Sequence, residues 1–278
     1  MPAERIAENL AFINWTVLTG LAVGSYAIVV LARWRTDATG GYLGFTTFCA
    51  VVFGLLAWLS DGALPASLGD SPVAVDPTFD GPRRIALLAF CGLAVAELLV
   101  HRVGGPGRQV GLLALVAALL VLVLGALAWG GDLLGAVPLL VQLVLLSAAT
   151  GGVFAAMILG HWYLVTPKLP ERPLVLVARV LLGVVALQLV LFGAWIATGA
   201  GPAGEAPFAV LVGPWALFVW LRLIVGLVFP LVVSWAAVQT ARSRSMESAT
   251  GLLYINVGSI AAGTILAAGL YFGAGLLV

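Results

Sequence analysis

Charge is what this chain has least of: only 9% of its 278 residues are Asp, Glu, Lys or Arg, against roughly 25% in a soluble domain. So few charges could not cover a surface in water, and a soluble globular protein is excluded. Lysine is reduced to Lys168, histidine to His101 and His161, and cysteine to Cys49 and Cys91. The cysteines stand in separate apolar runs without C-x-x-C spacing, which removes disulfide scaffolds, iron–sulfur clusters and dithiol exchange and leaves two small buried hydrophobes. An excess of one sign is missing too. Lys+Arg 13 against Asp+Glu 12 leaves no basic footprint for nucleic acid. Nor is there a G-x-S-x-G elbow, an H-E-x-x-H helix, a P-loop lysine, a C-x-x-C-H haem attachment or an aspartate-rich prenyl-diphosphate motif, so an enzyme working alone is disfavoured.

What is present is apolar: 62% of the residues are hydrophobic and the mean hydropathy is +1.15. A membrane-crossing helix takes about 20 mostly apolar residues. Charges and Gly/Pro clusters cut the chain into eight such stretches, near Ala11 to Ala32, Gly41 to Ser60, Ile85 to His101, Val110 to Trp129, Leu133 to Thr166, Leu174 to Thr198, Phe208 to Ala241 and Ala249 to Phe272. A barrel strand would alternate polar and apolar residues, and these runs are continuous. The expected fold is an all-α polytopic transmembrane bundle of about eight spans, forming one domain over 1–278.

The connections give the orientation. Arg33 and Arg35, Arg102 and Arg108, Lys168 and Arg172, Arg242 and Arg244 flank the odd-numbered loops, whereas the fourth and sixth offer only Asp132 and Glu205. By the positive-inside rule the odd loops are cytoplasmic and both termini periplasmic. Arg83 and Arg84 are the exception. They close the second loop, about 61–83, which also holds Asp61, Asp70, Asp76 and Asp80; it reads as a solvated periplasmic excursion, because the aspartates lack the D-x-D-x-D-G spacing of a calcium loop. The Arg-for-Lys, Ala- and Gly-rich bias suits a GC-rich genome, and with it a bacterial inner membrane. No A-x-A site follows Met1 to Leu10, so a removable signal peptide is not expected. No convincing internal repeat is legible, although Ile13-Asn14 and Ile255-Asn256 both precede Gly- and Thr-containing runs.

Ionisable residues inside a span are costly and therefore mark function or pairing. Glu97 and His101 are one helical turn apart in the third span. His161 lies near the end of the fifth in Gly160-His161-Trp162-Tyr163, where the glycine would let a flat group approach the backbone. Arg179 is about two turns into the sixth, and Arg222 is near the middle of the seventh, among Trp215, Phe218 and Trp220. Depth counting brings Glu97 and Arg179 to one level, so the two are expected to face each other, with both histidines nearby and Arg222 deeper. Duller roles exist for each: interfacial water for His101, an aromatic belt around His161, register fixing for Glu97 and Arg179. Asn14, Gln142, Gln188 and Asn256, with the small residues around Gly151, read as interhelical contacts.

Three readings fit this constellation. His101 and His161 could be axial ligands of a b-type haem with arginines on its propionates, or, without haem, His161, His101, Glu97, Arg179 and Arg222 could line a quinone site in a membrane electron-transfer assembly. Alternatively, Arg222 binds a small anionic solute while Glu97 carries a coupling proton, with the prolines of the seventh span allowing it to bend. A non-catalytic assembly subunit packed against other membrane subunits is a third reading. The segments Gly160 to Leu169, Trp220 to Leu223 and Ser248 to Tyr254 resemble bacterial multi-span membrane proteins of no assigned activity. That resemblance covers mainly the C-terminal half and implies helices alone.

Overall fold

The computed structural model of the protein describes residues 1–102, 107–166 and 169–278, without the side chains at 101 and 102. It is all-helical, 82% helix, with no strand among the described residues. The helices are α1 (Pro2–Glu8), α2 (Leu10–Arg35), α3 (Gly40–Asp61), α4 (Asp80–Arg102), α5 (Gly107–Trp129), α6 (Leu133–Val165), α7 (Arg172–Thr198), α8 (Ala216–Leu223), α9 (Phe229–Arg242) and α10 (Met246–Ala274). A π-helical turn, Ile224–Val228, joins α8 to α9 without a break, so that Ala216–Arg242 forms one stretch. Seven stretches among the described residues are long and apolar enough to cross a membrane: α2, α3, α5, α6, α7, Ala216–Arg242 and α10. The protein therefore has the character of a multi-pass membrane protein.

Local chemistry sets the helix ends. The Thr39 hydroxyl accepts the Tyr42 N–H at the start of α3, and the Asp132 carboxylate accepts that of Gly135 at 2.8 Å at the start of α6, each satisfying a donor that has no partner inside the helix. Gly199 and Gly275 close α7 and α10 at φ 66° and 69°, a left-handed conformation open to glycine at no steric cost.

The chain folds as two rings of helices with the same internal order. In the first, α2 packs on α3, α3 on α4, α4 on α5, and α5 returns to α2; in the second, α6 packs on α7, α7 on α9, α9 on α10, and α10 returns to α6. Between the rings α2 lies along α6, and the flanking contacts α5 with α6 and α10 with α2 mirror each other. The two central helices run in the same direction and touch through backbone. A Cβ on Gly24 would stand 1.8 Å from the Ser147 carbonyl oxygen, and one on Gly151 would stand 2.2 Å from the Ser25 nitrogen. The arrangement is thus a parallel repeat of two four-helix units. The sequence hides it, because only packing order and small residues at the crossing are shared.

Helix directions alternate through both rings. Arg33, Arg35, Arg108, Arg172, Arg242 and Arg244 therefore gather at one end of the bundle, and α1 joins the end of α10 at the other, where Ile6 and Arg5 pack over Gly269 and Gly273.

The second loop departs from the expected solvated excursion. Asp70 and Asp76 are exposed, but Leu68 and Val73 are buried in the core. The Asp76 N–H donates to the Ala128 carbonyl at 2.8 Å, and Asp61 and Arg83, at the two ends of the loop, are fully buried. A short apolar patch between turns is enough to fold the segment over the bundle end. The Asp76 carboxyl is held below its usual range by the Thr78 hydroxyl and the Thr78 N–H, which is the chemistry of a turn cap and not of a cation site. Among the described residues no group of three His, Cys, Asp or Glu stands together.

Candidate functional site

The expected facing of Glu97 and Arg179 is not what the structure contains. Glu97 is buried and forms an ion pair with Arg33, while its second oxygen accepts the Tyr26 hydroxyl at 2.7 Å. Arg179 lies on an exposed face of α7, whose Ala178, Leu181 and Val185 turn inward instead. Depth along the helices was legible; rotation about their axes was not. Arg33 stands within α2, which continues to Arg35 and carries it against Glu97 of α4.

The histidines are likewise not gathered with the charges. His161 is exposed, with Nδ1 3.4 Å from the Tyr254 hydroxyl. Gly160 leaves no room for a flat group, since Thr250 of α10 fills the space 2.7 Å from where a Cβ would be. The side chain of His101 lies outside the described residues. The geometry that motivated a shared haem or quinone pocket, with Glu97, Arg179, His161 and Arg222 converging, is absent among the described side chains.

Sequence reasoning missed a second buried charge pair. Asp61, at the end of α3, accepts Arg83 Nε at 2.6 Å and Nη2 at 3.3 Å along one edge of the guanidinium, and also Trp15 Nε1 at 2.8 Å. Asp80 takes a further bond from Arg83 Nη2 at 2.9 Å. The guanidinium carbon lies 4.8 Å from the centroid of Trp129 and 5.7 Å from that of Trp15, two rings that meet edge to face at 86°, so the positive charge meets a carboxylate at its edge and an aromatic corner beside it. The signal was present in the sequence. Arg83 broke the positive-inside pattern, and an arginine on the wrong side has a reason to be neutralised.

Arg222 is buried, only 3% exposed, but lies about two turns from the start of Ala216–Arg242 and not near its middle, because the helix begins at Ala216 and not at Phe208. Its Nη1 donates to the Gly226 carbonyl at 3.2 Å and its Nη2 to Gln188 Oε1 at a long 3.4 Å, while Nε has no partner. No carboxylate side chain among the described residues reaches it. It borders a small cavity of about 10 Å³ with Gln142, Gln188 and Trp195, closed by Leu145, Leu146 and Val278; Gln142 Oε1 is also buried without a partner. Gln188 is held in place by donating to the Leu145 carbonyl at 2.8 Å. Asn14 and Asn256 make the interhelical bonds expected of them, to Ser60 and Ser234 at 3.1 and 2.8 Å.

Backbone geometry around Arg222 is unusual as well. The π turn begins two residues after it, and within that turn Gly226 meets Gly263 of α10 at backbone distance, a Cβ on either standing 2.6 Å from the other's Cα. Such turns recur at functional sites because they re-aim one side chain without ending the helix.

No protein-family model, curated protein or solved structure matches this chain. The site must be read from its own chemistry.

Proposed function

We propose that the protein is a multi-pass bacterial inner-membrane protein that binds a small anionic solute at Arg222 and carries it across the bilayer. The observation that supports this most is a buried guanidinium, always charged, whose Nε has no partner, whose Nη2 has only a long bond to Gln188, and which no carboxylate side chain among the described residues reaches. An isolated charge in low dielectric is too costly to keep for structure alone. The π turn and Pro230 give Ala216–Arg242 a place to bend, which opening needs, because a cavity of about 10 Å³ holds no more than about one water. The proposal takes α4 as an eighth crossing beside the seven apolar stretches and the termini as periplasmic, a reading that the basic residues gathered at one end of the bundle support. Glu97, bound to Arg33 at that same end, is the group available to carry a coupling proton.

Purified protein should unfold at a higher temperature in the presence of a small anion, chloride, bicarbonate, acetate or phosphate, and Arg222→Gln should remove the effect. Proteoliposomes should then accumulate that anion. A reduced-minus-oxidised spectrum with a b-type α-band lost in His161→Ala, or co-extracted quinone, would replace this reading with the electron-transfer one.

A further inference from the structure

The two rings allow the occupant of the Arg222 site to be read from the protein itself. Arg83 on α4 and Arg222 on Ala216–Arg242, the stretch of α8 and α9, stand on the third member of each ring and towards the same end of the bundle. Trp15 and Gln142 correspond in the same way: each lies on the first helix of its ring, at the same offset along the chain before the glycine, Gly24 or Gly151, where the two helices touch. Asp61 and Gln188 both come from the second helix.

In the first ring this set holds a carboxylate. Asp61 lies along the Nε–Nη2 edge of Arg83 and takes a third bond from the Trp15 indole. In the second ring the matching edge is the part of Arg222 left wanting: Nε has no partner and Nη2 has only a long bond to Gln188. Gln142, in place of the tryptophan, brings an amide, which can donate, to the same cavity. We infer that the Arg222 site takes a small monocarboxylate, bound along the Nε–Nη2 edge with Gln142 as the third donor, as Asp61 is bound by Arg83 and Trp15. The inference rests on the reading of Arg222 as an anion site and narrows its ligand. A planar carboxylate matches two parallel N–H groups in a way that a spherical halide does not.

The full-length protein, purified in detergent, is heated with sodium acetate, sodium chloride or sodium phosphate at matched ionic strength. Acetate is expected to raise the unfolding midpoint saturably, with chloride and phosphate having little effect. Gln188→Glu supplies an internal carboxylate beside Arg222; it should raise the midpoint without ligand and abolish the acetate response. A fold-disrupting Arg222 variant is therefore not needed. Equal shifts with chloride or phosphate would overturn the carboxylate inference and leave an anion site standing. No shift with any of them would overturn both. An acetate response that persists in Gln188→Glu would place the ligand elsewhere and overturn the inference.

Discussion

A buried arginine is defined by what lies at its edges, and this protein contains two that differ there. Arg83 has Asp61, Asp80 and two tryptophan rings; Arg222 has an amide oxygen and a carbonyl. Removing the partner of the first leaves a charge in low dielectric, which costs roughly 3–5 kcal/mol when a buried pair is broken. Asp61→Asn is accordingly expected to lower stability by about that amount, read as a fall in the midpoint of thermal or denaturant unfolding in detergent. A change within about 0.5 kcal/mol, the range of neutral surface substitutions, would mean that Asp80 and the aromatic rings carry the charge without Asp61. Sequence gave access to the identity and depth of such residues but not to their pairing. Glu97 was recognisable as a buried acid, yet its partner Arg33 was hidden by a helix that outlasts its apolar run, and Arg179 by a rotation of α7 that periodicity cannot report when lipid-facing and buried faces are both apolar.

At the scale of the element, the contact between α2 and α6 holds the two rings together, and it depends on glycine. Gly24 and Gly151 bring the two backbones together, as small residues do where membrane helices cross closely, and Ser25 adds a bond to the Gly151 carbonyl at 3.2 Å. Overpacking a fitted site costs typically about 1–3 kcal/mol, and here the obstacle is backbone, which cannot rotate away. Gly24→Ala is expected to cost at least that much and to loosen the rings against each other, measurable as a lower unfolding midpoint and faster proteolysis between them. The same substitution at Gly183, where a Cβ meets nothing, is the control and should leave both unchanged. Helix extents were legible within two residues at both ends for α3, α6 and α7, where apolar runs end at charge or glycine, whereas each other span missed one end by three to eight residues, because helices continue past their apolar runs or start inside them. The π turn was not, because nothing in Ile224–Val228 distinguishes it from an ordinary helix; the prolines near it indicated only that the stretch would be irregular.

For the whole molecule, sidedness is the property that ties the site to function. The alternation of helix directions places Arg33, Arg35, Arg108, Arg172, Arg242 and Arg244 at one end, while the far end holds Arg83 neutralised by Asp61 and Asp80 and Arg84 stacked 5.1 Å from the Trp58 ring. Cations held by carboxylates and aromatic rings do not contribute to the basic bias as free ones do, so the second loop is compatible with the proposed cytoplasmic placement of the basic end, with exposed Arg5 at the far end set against the six arginines at the basic one. In the proposed orientation Glu97 would face the cytoplasmic side and Arg222 would lie nearer the periplasmic side, giving the proposed coupling proton and anion separate routes towards the middle of the bundle. Single cysteines introduced at Gly104 and at the exposed Glu205, in a background lacking Cys49 and Cys91, test this directly. A membrane-impermeant maleimide applied to intact cells whose outer membrane has been opened should label Glu205→Cys, and should reach Gly104→Cys only after the inner membrane is broken. The opposite pattern would invert the protein and move the anion site towards the cytoplasm, and labelling of both positions from one side would remove a crossing between them.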